Sequence, residues 1–421
     1  MTNSQSIAGP ESLTAAGRIL ERCDALARFS SMDTGVCRVF LSPEHKEANT
    51  LVSDWMREAG MSVQVDAVGN VRGRLEGSVP GAPALVIGSH LDSIPDAGKY
   101  DGILGVLLGI AAVEYLQRSS ISLPFALEVI GFGEEEGVRF GTTLMTSRAC
   151  AGTWDENWWA LQDESGQTLR EAFIEFGLDP QTIQSARMNS ATILAYVEAH
   201  IEQGPVLESM GLALGVVSAI AGARRLQVSI DGMAGHAGTT PMALRKDALV
   251  AAALGITRLE EMANQQGLVA TVGQIACTPG GVNVIPGSAE FSVDIRSGDD
   301  ALRDRVLQAF EAELGEICAA RALELSVQHT HQAPAVACAE PLQAMLAQAV
   351  KAVGCEPHVL ESGAGHDAMA MAEVCDVAML FVRCEGGISH NPAEAITLAD
   401  TAIALNALVG FIQIFGDSQR P

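Results

Sequence analysis

Positive charge is scarce in this chain: 26 lysines and arginines stand against 51 aspartates and glutamates, a formal net charge of -25. A surface of that sign repels nucleic acid and anionic membrane, so neither is expected as a partner. An anionic substrate would have to be held locally by individual arginines. The nine cysteines are an odd number and none forms a C-x-x-C pair, which argues against a disulfide framework and for reduced thiols that pack as small hydrophobes. No run of about 18 uncharged apolar residues occurs. The opening MTNSQSIAGPESLT has neither a basic n-region nor an apolar h-region. A soluble, cytoplasmic protein is the expectation. Internal repeats and low-complexity tracts are missing as well.

What is present is a long chain with an ordinary globular balance, 421 residues with 48% hydrophobic and 18% charged. That length exceeds what one core usually serves, so two domains are expected. The most informative stretch is Ala84 to Gln117, which reads as buried strand, polar loop and helix in one pass. ALVIGS is an unbroken apolar run, suited to a parallel strand covered on both faces. His90 falls at its carboxyl end, where ligands bind in open α/β sheets. Asp92, Asp96 and Asp101 follow in the loop, and the helical period resumes at Ile103, which places Asp101 where an N-cap would stand.

In chain order, helices are predicted over 11–29 and 44–59, with strands 63–68 and 71–75 around a Gly69-Asn70 turn. The next buried strand, Phe125 to Phe132, runs into Glu134, Glu135 and Glu136. Here GFGEEEG misses the dinucleotide pattern G-x-G-x-x-G by one residue. A polar, Trp-containing excursion covers 153–190, and another strand ends at His200 with Glu202 and Gln203 beyond it. From about Gly215 the order becomes strand (225–230), Gly-rich loop, helix (242–263), strands (268–276, 289–295), helix (300–320) and strand (323–328). That β-α-β-β-α-β order is the ferredoxin-like pattern of a small inserted domain. The division predicted is 1–212 with 332–421 for the main domain and 213–331 for the insert. Afterwards the apolar sheet texture returns and delivers His390, with Asn391-Pro392-Ala393-Glu394 as a helix start and a final helix to about Ile414.

Singly, each polar residue has an innocent explanation. Asp101 serves as an N-cap, His90 and His200 as core histidines bonded to carbonyls, His390 as a residue that precedes a helix, and the three glutamates as a solvated loop. Jointly, four separate strands release a histidine or an acid at one sheet edge. The set His90, Asp101, Glu136, His200 and His390 is a ligand shell for two divalent ions, with Asp101 as the best bridge, because a shared carboxylate leaves each ion three protein ligands and an open position. Imidazole and carboxylate ligands without thiolate suit zinc and tolerate manganese, cobalt or nickel. Glu135, beside a ligand carboxylate without being one, is the candidate general base, Glu134 is structural, and Asp92 can orient His90.

The segments GSHLDS, DAGKYDG, EEEGVRFG, EAHIEQGPVLE, AGHAGTTPM, GGVNVIPG, DIRS, SGAGHDA and SHNPAE together resemble the hydantoinase/carbamoylase group of dinuclear-metal amidohydrolases, relatives of aminoacylases and carboxypeptidase-like zinc exopeptidases. They occur in the family's order over nearly the whole chain. The resemblance implies an α/β, mixed-sheet metallohydrolase domain with an inserted ferredoxin-like lid that also makes a homodimer. It implies one metal on His90, Asp101 and His200, the other on Asp101, Glu136 and His390, and Glu135 as the base. It further implies that His236 stabilises the oxyanion and that Gln203, Asn283, Arg296 and the backbone of Gly365 hold a small anionic ureido substrate. His200, where peptidase relatives place a carboxylate, favours the ureido-cleaving branch. The third glutamate departs from the family's two-carboxylate step, so the register rests on Gly137-Val138-Arg139-Phe140.

The function expected is hydrolysis of the carbamoyl C–N bond of an N-carbamoyl carboxylic acid. The texture of ALARFSSMDTGVCRVFLSPEH and DAGKYDG resembles allantoate amidohydrolases and puts allantoate first. N-carbamoyl-L-amino acids come next, then ureidoglycolate and 3-ureidopropionate. A dipeptidase or aminoacylase sharing the same metals and base is a second class, and a binding module that has lost catalysis a third. If the insert swings as a lid, its hinges are expected near Gly211 to Gly215 and Thr330 to Pro334.

Overall fold

The computed structural model of the chain describes residues 9–420. Residues 1–8, the first part of the segment read for a leader, lie outside the described residues. The first helices form where the spacing predicts them, α1 at Pro10–Leu26 and α2 at Pro43–Glu58, each with proline in its first turn. Strands β1 (Ser62–Val65) and β2 (Val71–Leu75) make the expected hairpin. β3 (Ala84–His90) and β4 (Ala126–Phe132) are buried along their whole length, as their unbroken apolar sequences require. α3 (Ile103–Arg118) connects them. β5 (Ile193–Ile201) and β6 (Leu214–Ile220) follow the Trp-containing excursion.

The main sheet runs in the order β1, β2, β4, β3, β5, Val377–Val382, β6. Its four central strands, β4, β3, β5 and Val377–Val382, are mutually parallel. Their carboxyl ends therefore lie along one edge. α3 is buried on almost every face, from Ile103 through Leu116, because it packs both on the sheet and against α1 and the last helix, Leu398–Ser418. That last helix is long and apolar enough to cross a membrane by length and composition. Its apolar residues, from Ala402 to Phe415, are instead part of the core shared with α1 and α3. The excursion, 153–190, contributes Trp159, Leu169 and Phe173 to a separate aromatic cluster with Phe40.

The chain divides into two compact units, residues 1–218, 338–360 and 365–421 in the first, and 219–337 with 361–364 in the second. The crossings at 218/219 and 337/338 lie a few residues beyond the predicted 212/213 and 331/332, and 361–364 adds a short return that was not predicted. The shift has a simple cause: β6 pairs with Val377–Val382 from Leu214 to Val217 and so belongs to the main sheet, while the strand Glu324–Ala333 runs on beyond the expected start of the return at 332. Of the predicted hinge segments, Thr330 to Pro334 falls mostly within a strand, whereas Gly211 to Gly215 enters β6 only at Leu214. The second unit has the antiparallel order Ile275–Thr278, Ser288–Ser297, Gly222–Asp231, Glu324–Ala333. Helices Ala248–Gln266 and Asp300–Ala320 share its core. This is the ferredoxin-like arrangement predicted. The first of these helices starts at Ala248, where the Asp247 side chain accepts from the Val250 amide, and Met242–Leu244 is only a 3-10 turn.

Gly105 sets how closely α3 approaches the sheet. A Cβ there would lie 2.1 Å from the Ala199 carbonyl oxygen and 2.9 Å from Ser89 Cβ. Alanine favours a helix over glycine by about 1 kcal/mol, yet Gly105→Ala is expected to lower unfolding stability by about 1–3 kcal/mol through overpacking. Gly315→Ala, in the helix Asp300–Ala320 with no atom within 4 Å of its Cβ, is the control and is expected to stabilise. Urea titration of both variants checks the pair.

Candidate metal centre

The parallel edge delivers its polar residues in register. His90 ends β3, Glu134 to Glu136 follow β4, His200 lies one residue from the end of β5, and His390 comes in the loop after Val377–Val382. Asp101 corrects its predicted role. Gly102, at φ 69°, is the residue that precedes α3, and no side chain caps the helix. The Asp101 carboxylate is left to face imidazoles instead. Its Oδ1 lies 3.1 Å from His200 Nε2 and 3.7 Å from His90 Nε2, and its Oδ2 lies 3.2 Å from His390 Nε2. Gly102 is glycine for a second reason, since a Cβ there would sit 2.5 Å from the His90 ring.

Among the described residues, His90, Asp101 and His200 form one group whose ligand atoms lie within 4.8 Å of one another, and Asp101, Glu136 and His390 form a second. His390 Nε2 is 3.8 Å from Glu136 Oε1. His90, Glu135 and Glu136 make a further group of this kind. These donors fit a pair of cations. His90 and His200 turn their Nε2 atoms toward each other at 3.5 Å, and the buried Asp101 Oδ1 has no aligned hydrogen-bond donor. The other imidazole nitrogens are taken: His200 Nδ1 lies 2.9 Å from the Ile201 carbonyl and His90 Nδ1 3.1 Å from that of Asp92. An Nδ1–H donated to these carbonyls would leave Nε2 as the atom that ligates a cation.

Electrostatics point the same way. Burial pushes the Glu134 and Glu135 carboxyls well above the usual carboxylate range and Glu136 up to about 7. Burial also opposes ionisation of Asp101, but the facing His200, His390 and His90 outweigh it and hold that carboxyl well below its ordinary value. A cluster this acidic and this enclosed needs counter-charge. Divalent cations held by these residues would supply it.

The acidic turn is rigid by construction. Asp92 accepts from the Glu135 amide at 3.1 and 3.2 Å and from the Glu136 amide at 3.2 Å, and its Oδ1 is 3.4 Å from His90 Nδ1. The Glu134 carboxylate turns back on its own chain and accepts from the Gly137 and Met145 amides. Gly365 lies against this turn, since a Cβ on it would be 3.6 Å from Glu135 Oε1. Gln203 donates to Asp101 Oδ2 at 2.9 Å and lies 3.5 Å from His390 Nε2.

Three predicted residues belong to the second unit. His236 and Asn283 are neighbours there, because His236 pairs with Val284 across a two-stranded ribbon and the Ala237 amide donates to the Asn283 carbonyl at 2.9 Å. His236 Nδ1 accepts from the Gly238 amide at 3.0 Å, so the ring carries its proton on Nε2. Arg296, on the strand Ser288–Ser297, is engaged within its own unit: Nε and Nη2 contact Asp294 at 2.7 and 3.1 Å and Nη1 donates to the Gly363 carbonyl at 2.7 Å.

The structure adds residues not predicted. His366, next to Gly365, stacks edge-on against His200 with ring centroids 4.5 Å apart, and forms a group with His200 and Glu198. Burial and then the neighbouring His200 push its pKa well down. Glu198 is fully buried, accepting from Ser89 Oγ at 2.9 Å and from the Ala368 amide at 2.9 Å. The motif SGAGHDA contained the signal for His366, while Glu198 reads in sequence only as an interruption of an apolar strand.

With this geometry in view, comparison with known proteins is decisive. The description "Peptidase family M20/M25/M40" matches residues 86–414. The chain belongs to that family. Within M20 its relatives are amidohydrolases. It is 41% identical to an N-carbamoyl-L-amino acid amidohydrolase of Geobacillus stearothermophilus over 375 residues, 89% of this chain and 92% of that one. It is 40% identical to an allantoate deiminase of Arabidopsis thaliana over 424 residues, 93% of this chain and 81% of that one. The crystal structure of a hydantoinase/carbamoylase family amidase from Burkholderia multivorans superposes with a TM-score of 0.89 at 33% identity, covering 94% of this chain and 97% of that one. The chain thus sits on the hydantoinase/carbamoylase branch of M20, among hydrolases of carbon–nitrogen bonds other than peptide bonds.

Asp92→Asn is expected to keep the M20 fold, because an amide oxygen still accepts from one of the two backbone N–H groups. Metal retention or turnover should fall about 10–100-fold, as is usual when the group behind a metal-ligating histidine is changed. Metal content after gel filtration, read beside the far-UV spectrum, checks both halves.

Proposed function

We propose that the chain hydrolyses the carbamoyl C–N bond of a small N-carbamoyl carboxylate, with allantoate as the first substrate. The observation that carries this reading is the convergence of His90, His200, His390 and Glu136 around Asp101, with Glu135 beside them. One water adds to the carbamoyl carbon and the bond to the substrate nitrogen breaks, giving an amino product and carbamate, which decomposes to ammonia and carbon dioxide.

His90, Asp101 and His200 would hold one divalent ion and Asp101, Glu136 and His390 the other, with zinc or manganese first and cobalt or nickel compatible with the donors. Ions held there would supply Lewis acidity toward the ureido carbonyl and a water of lowered pKa. Glu135 takes the proton of the attacking water and returns it to the leaving nitrogen, a role suited to a buried carboxyl whose proton affinity is raised. Asp92 keeps Glu135 in place through its amide. His236, protonated on Nε2, can donate to the oxyanion that develops on the attacked carbon. Arg296 matches the substrate carboxylate in bidentate fashion, a contact that competes with Asp294. Gln203, Asn283 and the Gly365 backbone complete the polar lining. The family resemblance also supports a homodimer joined through the second unit.

Allantoate ranks first because the segments before and within the DAGKYDG loop resemble allantoate amidohydrolases and the Arabidopsis relative carries that name. The Geobacillus relative supports N-carbamoyl-L-amino acids as the second substrate class. Protein stripped with chelator should release no ammonia, and reloading with manganese or zinc should restore release from allantoate above that from a panel of N-carbamoyl-L-amino acids. The reverse order would move the substrate and keep the chemistry, whereas faster release from Gly-Leu or N-acetyl amino acids would favour the peptidase reading. Glu135→Gln is expected to lower kcat by at least 100-fold, the scale of general base catalysis, with metal content unchanged. Arg296→Lys should instead raise KM by about 10-fold or more, the scale of a charge-assisted hydrogen bond.

A further inference from the structure

Just behind the candidate metal centre lies a carboxylate that ligates nothing. Glu394 was expected in the first turn of a helix. The chain at 391–394 is a tight turn instead, and the helix begins at Leu398 under a Thr397 cap. Freed from that role, the buried Glu394 side chain reaches nearly 300 positions back along the chain. Its Oε1 accepts from the Tyr100 and Asp101 amides at 2.8 and 3.1 Å, and its Oε2 faces Ser389 Oγ at 3.2 Å. The Ser389 hydroxyl is also 3.1 Å from Asp101 Oδ2 and 3.3 Å from Gln203 Nε2. The Glu394 amide closes the turn on the Asn391 carbonyl at 3.0 Å. That turn carries His390 at φ 54°, a backbone conformation that a non-glycine residue keeps only when its surroundings impose it.

We propose that Glu394 is the positioning residue that locks the Asp101 loop to the His390 loop, so that both halves of the centre keep one geometry. This inference rests on the metal reading above. One carboxylate fixes the backbone of the bridging residue with one oxygen and, through Ser389, the far side of the same residue's side chain with the other. Ser389 has a single proton for two carboxylate neighbours. It can serve Asp101 or Glu394, and a cation on Asp101 Oδ2 would leave it to Glu394. Gly98 packs directly on this anchor, for a Cβ there would come within 2.4 Å of the Glu394 Cβ and Oε1. Gly98→Ala therefore displaces Glu394 without altering its chemistry.

The test is calorimetric titration of the chelator-stripped full chain with Mn²⁺ alone and Zn²⁺ alone, for wild type, Glu394→Gln, Gly98→Ala and Ser389→Ala, with the near-UV spectrum and kcat and KM measured beside it. Wild type is expected to bind two ions. Glu394→Gln and Gly98→Ala should weaken at least one of them 10-fold or more and lower kcat while KM stays within about 3-fold, and Ser389→Ala should show a smaller loss in the same direction. Two ions held at wild-type affinity by both Glu394→Gln and Gly98→Ala would overturn the proposal. If those two variants fail to fold, wild-type affinity in Ser389→Ala overturns it. Absence of metal binding in the wild type would instead overturn the metal reading itself.

Discussion

Everything in the first unit answers to one arrangement, a buried aspartate facing three imidazoles that come from β3, β5 and the loop after the last strand. Such a contact cannot be made locally, because its members lie at positions 90, 101, 200 and 390. It requires parallel strands, whose carboxyl ends share an edge, and it requires α3 to start without using Asp101 as its cap. Gly102 meets the second requirement by entering the helix at positive φ and by leaving the His90 ring its space. Asp101 is thereby released from a structural task for a chemical one.

The carboxylates around this contact divide their labour by direction. Asp92, Glu134, Glu198 and Glu394 point at backbone amides and hydroxyls, and they hold loops. Asp101, Glu135 and Glu136 point at histidines or into the shared space, and they carry the chemistry proposed. Buried carboxylates of the first kind need no cation, because N–H groups satisfy them. Of the second kind, Asp101 keeps an Oδ1 with no aligned donor.

The sequence was most legible where burial is complete. The unbroken apolar runs of β3 and β4 and the strand–helix rhythm of the second unit announce themselves because period and composition suffice to place them. It was least legible at chain reversals. Asp101 before α3 and Asn391-Pro392-Ala393-Glu394 both carry good helix-start chemistry, yet in each case the acidic side chain is taken by a partner distant in sequence. Local preference of this kind is worth about 1 kcal/mol, less than a buried network can impose. The unit boundaries slipped for a related reason: β6 looks like the opening of the insert, and only its pairing with Val377–Val382 shows which sheet owns it. His366 and Glu198 went unseen because their neighbours His200 and Gly365 accounted for the same motifs.

The points where the chain leaves the first unit and returns to it are adjacent. Ser218 and Cys338 flank the excursion, and the Cys338 amide donates to the Ser218 carbonyl at 2.9 Å. An insertion whose two ends are already hydrogen-bonded neighbours imposes no gap on its host, and it can be exchanged, lengthened or replaced as a cassette while the core behind it stays shut. The second unit, under a third of the chain, can therefore change with little disturbance to the sheet that carries the metal-ligand candidates.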